Sequence, residues 1–233
     1  MRTGKKTRWA LVLLLMVASE LAGAGSQESA TLFRPVLYPE LPGQTAGGGA
    51  SGEMSGAGQV LVFQRDPAVL ASVKKQLVRQ TGQIDPADAR LLKQHSARRD
   101  YPEAFEALFG HYGYQDNNLA DIAAACIMQG WRIANDRPEP SAKAWRALQE
   151  QVRGLLLGRP ELVRASNQQK QQAADQLLIR TVLMADAWQQ LKQKPDRELA
   201  SEFSDSMAAM LASSMNIDVR RLQLTVHGMR DRP

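Results

Sequence analysis

The sequence has a single cysteine and three histidines, and it lacks the standard motifs of several enzyme classes. It contains no His-Glu-x-x-His zinc motif, no Gly-x-Ser-x-Gly nucleophile elbow and no Gly-rich phosphate loop ahead of a Lys-Ser or Lys-Thr pair. A histidine-dependent site would have to use His95, His111 or His227. The motifs therefore predict no catalytic residue, no cofactor and no metal.

The lone cysteine, Cys126, cannot form an internal disulfide. It lies within the apolar stretch 122–127, where a thiol packs as a small hydrophobic side chain. We expect Cys126 to be buried, with a nucleophile or an intermolecular disulfide as the alternative.

Long hydrophobic runs are also missing from the N-terminal region. The apolar run Trp9–Ala18 has ten residues, whereas a membrane-spanning helix needs roughly 20. Four basic residues precede it and the small residues 22–24 follow, an order typical of a secretory signal peptide. We interpret residues 1–24 as a signal peptide cleaved between Ala24 and Gly25, and we expect a periplasmic or secreted protein. An uncleaved signal would instead make the segment a membrane tether.

Excess charge of one sign is small once the signal peptide is removed. The whole chain carries 29 basic and 24 acidic residues, and its net charge is +5. The signal peptide contains four of the basic residues and one of the acidic residues, which leaves 25 against 23. The pairs Arg98-Arg99 and Arg220-Arg221 are isolated, without a basic stripe interleaved with aromatics. The sequence therefore predicts no nucleic-acid partner.

The mature chain divides into two parts. Residues 25–58 are rich in Gly, Ala and Ser and have no helical periodicity, which indicates a flexible linker. Residues 59–233 have the length of one domain and a regular pattern of capping and apolar residues. We expect this part to be a single all-α helical bundle.

The capping residues and apolar spacings predict six to seven helices. The most apolar one follows Asn118 and should lie at the centre of the bundle. The longest follows Ser166, and its Gln-rich first turns are expected to be exposed. A single further turn is expected at 160–163. The predicted helices begin near Pro67 (ending at Gly82), Pro86, Asp100, Asn118, Ser141, Ser166 and Asp196.

One extended segment is predicted near the C-terminus. Residues 222–226 alternate apolar and polar side chains, which favours a strand over a helix. A strand needs a partner, and residues 60–63 are the other β-favouring run. The segment therefore either lies across the helices or pairs with 60–63.

A candidate pocket can be assembled from residues around the start of the central helix. His111 and Tyr112 precede a glycine at a helix end, while Asp116 and Asp121 lie on either side of the next helix start. With Trp131 they could form a site between helices. Three of them also have a structural interpretation: His111 as a helix cap, Asp121 as a partner of the helix dipole or of a neighbouring helix, and Trp131 as core.

The segments Tyr-Gly-Tyr-Gln-Asp-Asn-Asn-Leu-Ala-Asp at 112–121 and Leu-Gln-Leu-Thr-Val-His-Gly at 222–228 resemble an uncharacterised bacterial domain-of-unknown-function family of exported, all-helical proteins. The resemblance covers about residues 60–228. It departs at Cys126 and Ile127, where the family tends to have a Tyr-Trp pair. It implies export and a helical fold, and no activity.

Two functions follow as hypotheses. The first is an exported, non-enzymatic protein with a binding or structural role in the bacterial envelope and an unknown protein partner. The alternative is an enzyme or small-ligand-binding domain with its site near Tyr112, Asp116, Asp121 and His111. The oligomeric state is left open by both.

We expect the mature protein recovered from its native cell envelope or medium to begin at Gly25 or a near neighbour, because signal peptidase cleaves after small residues at alternate positions. N-terminal sequencing measures this directly. A mature chain beginning at Met1 would contradict cleavage.

Overall fold

The computed structural model describes residues 58–193 and 195–233 as an all-α domain, which confirms the predicted fold class. The predicted signal peptide, and the predicted linker apart from Gly58, lie outside the described residues. Within the described part there are eight α-helices, and the shortest is the single turn expected at 160–163. The helices are α1 Pro67–Ile84, α2 Pro86–Arg98, α3 Tyr101–Phe109, α4 Leu119–Ala134, α5 Ala142–Leu157, α6 Pro160–Arg164, α7 Asn167–Gln193 and α8 Arg197–Met215.

Seven of these helices begin after a side chain that caps them. In each case a side-chain oxygen accepts a hydrogen bond from a backbone N–H of the first turn, which satisfies a donor that the helix leaves unpaired. The positions agree with the helix starts predicted from the sequence. The capping residues are Asp66, Asp85, Asp100, Asn118, Ser141, Ser166 and Asp196.

The end of α1 differs from the prediction, because the helix passes Gly82 and stops at Ile84. Asp85 closes it by donating its backbone N–H to the Thr81 carbonyl, and the same residue caps α2. A Cβ at position 82 would lie 3.3 Å from the Cβ of Ala89. Gly82 therefore serves the close packing of α1 on α2 and does not end the helix.

Helix α4 lies at the centre of the domain, as its apolar sequence predicts. Fifteen of its 16 residues are buried, and it packs against α5, α7 and α8. Cys126 is buried, as expected for a small core side chain. Gly130 allows the closest approach to α8, since a Cβ there would lie 2.5 Å from Cδ1 of Leu211.

The extended segment near the C-terminus is strand β1, Leu222–Thr225, and of the two alternatives given for it the pairing with residues 60–63 is wrong. It pairs antiparallel with β2, Gly228–Asp231, in a short hairpin. Gly228 has a φ of 97°, which allows the chain to reverse over two residues. The 60–63 run instead begins in a 3-10 turn at 58–61, and Val62 forms an isolated bridge with Asn118.

Side chains of the bundle hold this hairpin in place. Gln151 of α5 accepts a hydrogen bond from the Met229 N–H at 2.8 Å and donates one to the Met229 carbonyl at 3.1 Å. The indole N–H of Trp131 in α4 donates to the Leu222 carbonyl at 3.1 Å. The strand pair is thus attached to the helices through side chain to backbone bonds. Among the helices of residues 58–193 and 195–233, none is long and apolar enough to span a bilayer.

We expect Tyr101→Phe to reduce the alkaline destabilisation of the fold. Tyr101 is fully buried, with its hydroxyl 3.0 Å from Nδ1 of His95 and 3.0 Å from Oγ of Ser96. Burial raises the pKa of Tyr101 to about 12. Because an unfolded tyrosine ionises near pH ~10, the folded chain binds the extra proton between these values, and the free energy of unfolding falls as the pH rises through this window.

The measurement is urea unfolding of the wild type and the variant at a series of pH values from about 9 to about 11.5. The variant should lose stability less steeply with rising pH, although it is less stable at neutral pH through its lost hydrogen bonds. Parallel pH profiles for the two proteins would contradict this account of Tyr101.

Candidate functional site

The five candidate pocket residues lie at four separate places in the structure. His111 and Tyr112 line a surface groove, together with residues that the sequence did not single out. Asp116 pairs with Arg65, and Asp121 binds side chains of α5. Trp131 is 7% exposed and holds the C-terminal hairpin. The structure therefore brings together only His111 and Tyr112 as neighbours in one concave surface.

The groove has a volume of about 560 Å³. It lies between the end of α3, the last turns of α4, the irregular segment 135–141 and the C-terminal half of α7. Its lining is Leu108, Phe109, His111, Tyr112, Gln129, Arg132, Asp136, Arg137, Pro138, Glu139, Ala185, Trp188, Gln189 and Lys192.

Aromatic rings form one wall of the groove. Tyr112 stacks on the buried Trp145, with the ring centroids 4.6 Å apart and the planes at 15°. The ring centroids of His111 and Tyr112 are 3.8 Å apart. Phe109 also packs on Trp145, with the ring centroids 5.7 Å apart. Burial, aided by the hydrogen bond to Glu139, raises the pKa of Tyr112 to about 12. Tyr112 is therefore a protonated hydrogen-bond donor at neutral pH.

Four of the charged side chains of the groove form two ion pairs, and Arg137 is a further charged residue of the lining. Arg132 Nη1 lies 2.5 Å from Glu139 Oε2 and also donates to Gln129 Oε1 at 3.0 Å. At the rim, Lys192 Nζ lies 2.7 Å from Asp136 Oδ1 and 4.5 Å from the ring centroid of Trp188. The rim pair is exposed and well screened, whereas the Arg132 side chain is only 14% exposed.

Asp121 is buried away from the groove and joins the start of α4 to α5. Its carboxylate accepts hydrogen bonds from the Gln115 N–H at 3.0 Å and from Gln149 Nε2 at 2.8 Å. Arg153 Nη2 lies 3.4 Å away. Burial raises the pKa of Asp121, and these donors act in the opposite direction. The arrangement satisfies a buried acid and tightens the contact between two helices.

Asp116 belongs to a clamp centred on Arg65, the residue just before α1. Arg65 Nε lies 2.5 Å from Asp116 Oδ2, and Arg65 Nη1 lies 2.8 Å from Asp175 Oδ1 in α7. Gln171 adds two hydrogen bonds to the backbone of Asp66 and one to Asp175. The clamp fixes the segment before α1 onto the start of α7.

The expectation that the Gln-rich first turns of α7 are exposed is wrong at Gln171. This residue is fully buried because its amide replaces water as the hydrogen-bond partner of the Asp66 backbone. Sequence reasoning missed Arg65, Gln171 and Asp175. The available signal was the i, i+4 spacing of Gln171 and Asp175, which puts two polar side chains on one face of a helix.

No cluster of His, Cys, Asp and Glu suited to hold a metal ion occurs within the parts of the chain that the structure describes. Residues 65–232 match the sequence profile of a family of unknown function, DUF6683. The chain belongs to this family. The DUF6683 match contains the Arg65 clamp, the Asp121 contacts, the groove and the hairpin. No curated protein and no solved structure matches the chain.

We expect Arg65→Ala to destabilise the DUF6683 domain by about 3–5 kcal/mol, because it leaves the buried Asp175 without its charge partner. Arg79→Ala, which removes an exposed arginine of α1, is the matched control and should change stability by less than about 0.5 kcal/mol. Urea unfolding monitored by circular dichroism measures both. If the two variants unfolded at the same urea concentration, the clamp would have no energetic role.

Proposed function

We propose that this protein is an exported, non-enzymatic binding domain of the bacterial envelope and that the groove is its binding site. The groove itself carries the proposal. Its volume of about 560 Å³ falls within the roughly 300–1,000 Å³ of small-molecule sites. The groove lies between helices of a bundle, where such sites occur, and its lining combines aromatic side chains with charged and amide groups that could orient a ligand.

Binding is preferred over catalysis because the two acids expected in an active site are used elsewhere. Asp116 is held by Arg65, Asp121 is held by Gln149 and Arg153, and neither lines the groove. An acid-base mechanism needs titratable groups that reach the substrate. The acids that do line the groove are both ion-paired, which favours a role in recognition.

The N-terminal sequence supports the location in this proposal. A signal peptide followed by a Gly/Ala/Ser-rich segment would deliver the domain outside the cytoplasm on a spacer. A domain placed in this way meets envelope proteins as well as small molecules, so the proposal retains an envelope protein as a partner.

We expect Gln189→Trp to block the groove, because Gln189 is an exposed residue of α7 that lines it. The probe is N-phenyl-1-naphthylamine, a neutral dye whose fluorescence rises in an apolar site. Its affinity for the wild type should fall at least ~10-fold in the variant, the loss of about 1.4 kcal/mol of binding free energy.

Gln190→Trp is the matched control, since it adds the same indole at the next exposed position of α7, which does not line the groove. This variant should bind the dye as the wild type does. Saturable binding that both variants leave unchanged would place the dye elsewhere, and a wild type that does not bind the dye would also count against the groove.

A further inference from the structure

Three hydrogen-bond donors from three elements converge on the carboxylate of Glu139 at the edge of the groove. The Tyr112 hydroxyl and the Trp145 indole N–H each donate to Oε1 at 3.0 Å. Arg132 Nη1 lies 2.5 Å from Oε2. Two neutral donors on one oxygen and a guanidinium on the other match the acceptor capacity of an ionised carboxylate.

Packing that does not involve Glu139 fixes the positions of these donors. Trp145 is fully buried, it stacks on Tyr112, and its carbonyl accepts the Tyr114 hydroxyl at 2.8 Å. Arg132 is held by Gln129 within the last turns of α4. The donor set is therefore preorganised, and ligands bind more tightly where less ordering is needed.

Glu139 is attached less firmly than the donors that it contacts. It lies between Pro138 and Pro140 in the irregular segment 135–141, and its side chain is 46% exposed. Segments with exposed backbone and few buried contacts open at a low free energy. Opening of this segment would leave the donors of Tyr112, Trp145 and Arg132 free to bind another oxygen, from water or from a ligand.

Arg132 also has a donor that Glu139 does not use. Its Nε is buried, and no acceptor for it exists among the residues that the structure describes. Arg99 and Arg153 each have a buried Nε in the same condition, but of these three arginines only Arg132 lies in the lining of the groove. An acceptor oxygen for the Arg132 Nε can therefore come from a ligand in the groove.

We propose that Arg132, Tyr112 and Trp145 form a carboxylate-binding site, that the ligand of the groove carries a carboxylate on an apolar or aromatic body, and that Glu139 occupies the site until the ligand displaces it. The apolar body lies against Leu108, Phe109 and Trp188 of the groove. This inference rests on the proposed function, because it names the ligand class of the same groove.

The test compares phenylacetate with phenylacetamide on the wild type and on Glu139→Ala. If the site is open for only a fraction of the time, the apparent ligand affinity is the intrinsic affinity multiplied by that fraction. If Glu139 occupies the site for about 90–99% of the time, removing its side chain should raise the affinity ~10–100-fold. We expect this gain for phenylacetate and a smaller one for the amide, because the neutral amide binds the three donors more weakly and depends less on their release. The Trp145 indole N–H resonance, assigned with Trp145→Phe, should move in Glu139→Ala and return toward its wild-type position as phenylacetate binds.

Asp136→Asn is the matched control for charge. It removes one negative charge from the same groove without touching the three donors, since Asp136 pairs with Lys192 at the rim. It should raise phenylacetate affinity by less than ~3-fold, as expected for a screened surface charge. An equal gain in Asp136→Asn and Glu139→Ala, an equal gain for the amide, or a Trp145 resonance that phenylacetate does not move would each overturn the inference.

If Glu139→Ala does not fold, Glu139→Gln and the wild type keep the test decisive, because both should still prefer phenylacetate to phenylacetamide. Dye binding that Gln189→Trp blocks, combined with no preference for the carboxylate, would overturn this inference and leave the proposed function standing. Failure of all probes to bind would overturn both.

A second arm identifies the source of the carboxylate. It uses a tripeptide ending in phenylalanine with a free C-terminus, and the same peptide as its C-terminal amide. Tighter binding of the free peptide than of phenylacetate would assign the site to a peptide C-terminus. Weaker binding would assign it to a small organic acid.

Discussion

The burial of α4 on every side is the constraint on which the rest of the structure depends. A helix enclosed in this way must be surrounded by others, and α5, α7 and α8 supply that enclosure. Polar groups near its two ends are paired with side chains of other elements. Water cannot reach the buried Asp121, whereas the Arg132 side chain is 14% exposed at the groove. At one end Asp121 meets Gln149, and at the other Arg132 meets Glu139. The groove forms where the last turn of α4 leaves the core.

Two of the buried acids, Asp121 and Asp175, differ from the acid at the groove in the role of their polar contacts. Asp121 and Asp175 are buried and accept hydrogen bonds from other parts of the chain. They therefore fix how the helices and the connecting segments pack together. Glu139 has comparable partners but sits in a half-exposed irregular segment. A carboxylate with several donors therefore stabilises packing at Asp121 and Asp175, and at Glu139 we propose that it forms a contact that a ligand can replace.

Local features of the fold were predictable from sequence, and long-range ones were not. Asp66, Asp85 and Asn118 act within one helical turn of their own positions, so capping patterns located the helix starts. The clamp joins Arg65 to Asp175 across 110 positions. Such a pair leaves no local pattern in a single sequence. The partner of β1 is an exception, because it is local: β2 follows after a two-residue turn, and the sequence pattern pointed instead to the distant run 60–63.

For the candidate site, sequence singled out His111 and Tyr112, which line the groove, but could not supply Arg132, Glu139 and Trp188, which come from different elements. The Arg65 clamp has a mechanical consequence. Any tension arriving along the N-terminal segment is transmitted to the start of α7 through Arg65 and Gln171 before it reaches α1. A pulling force from a spacer would therefore act on several hydrogen bonds and ion pairs of the clamp at the same time. The groove lies at the opposite end of α7 and would not receive this force directly.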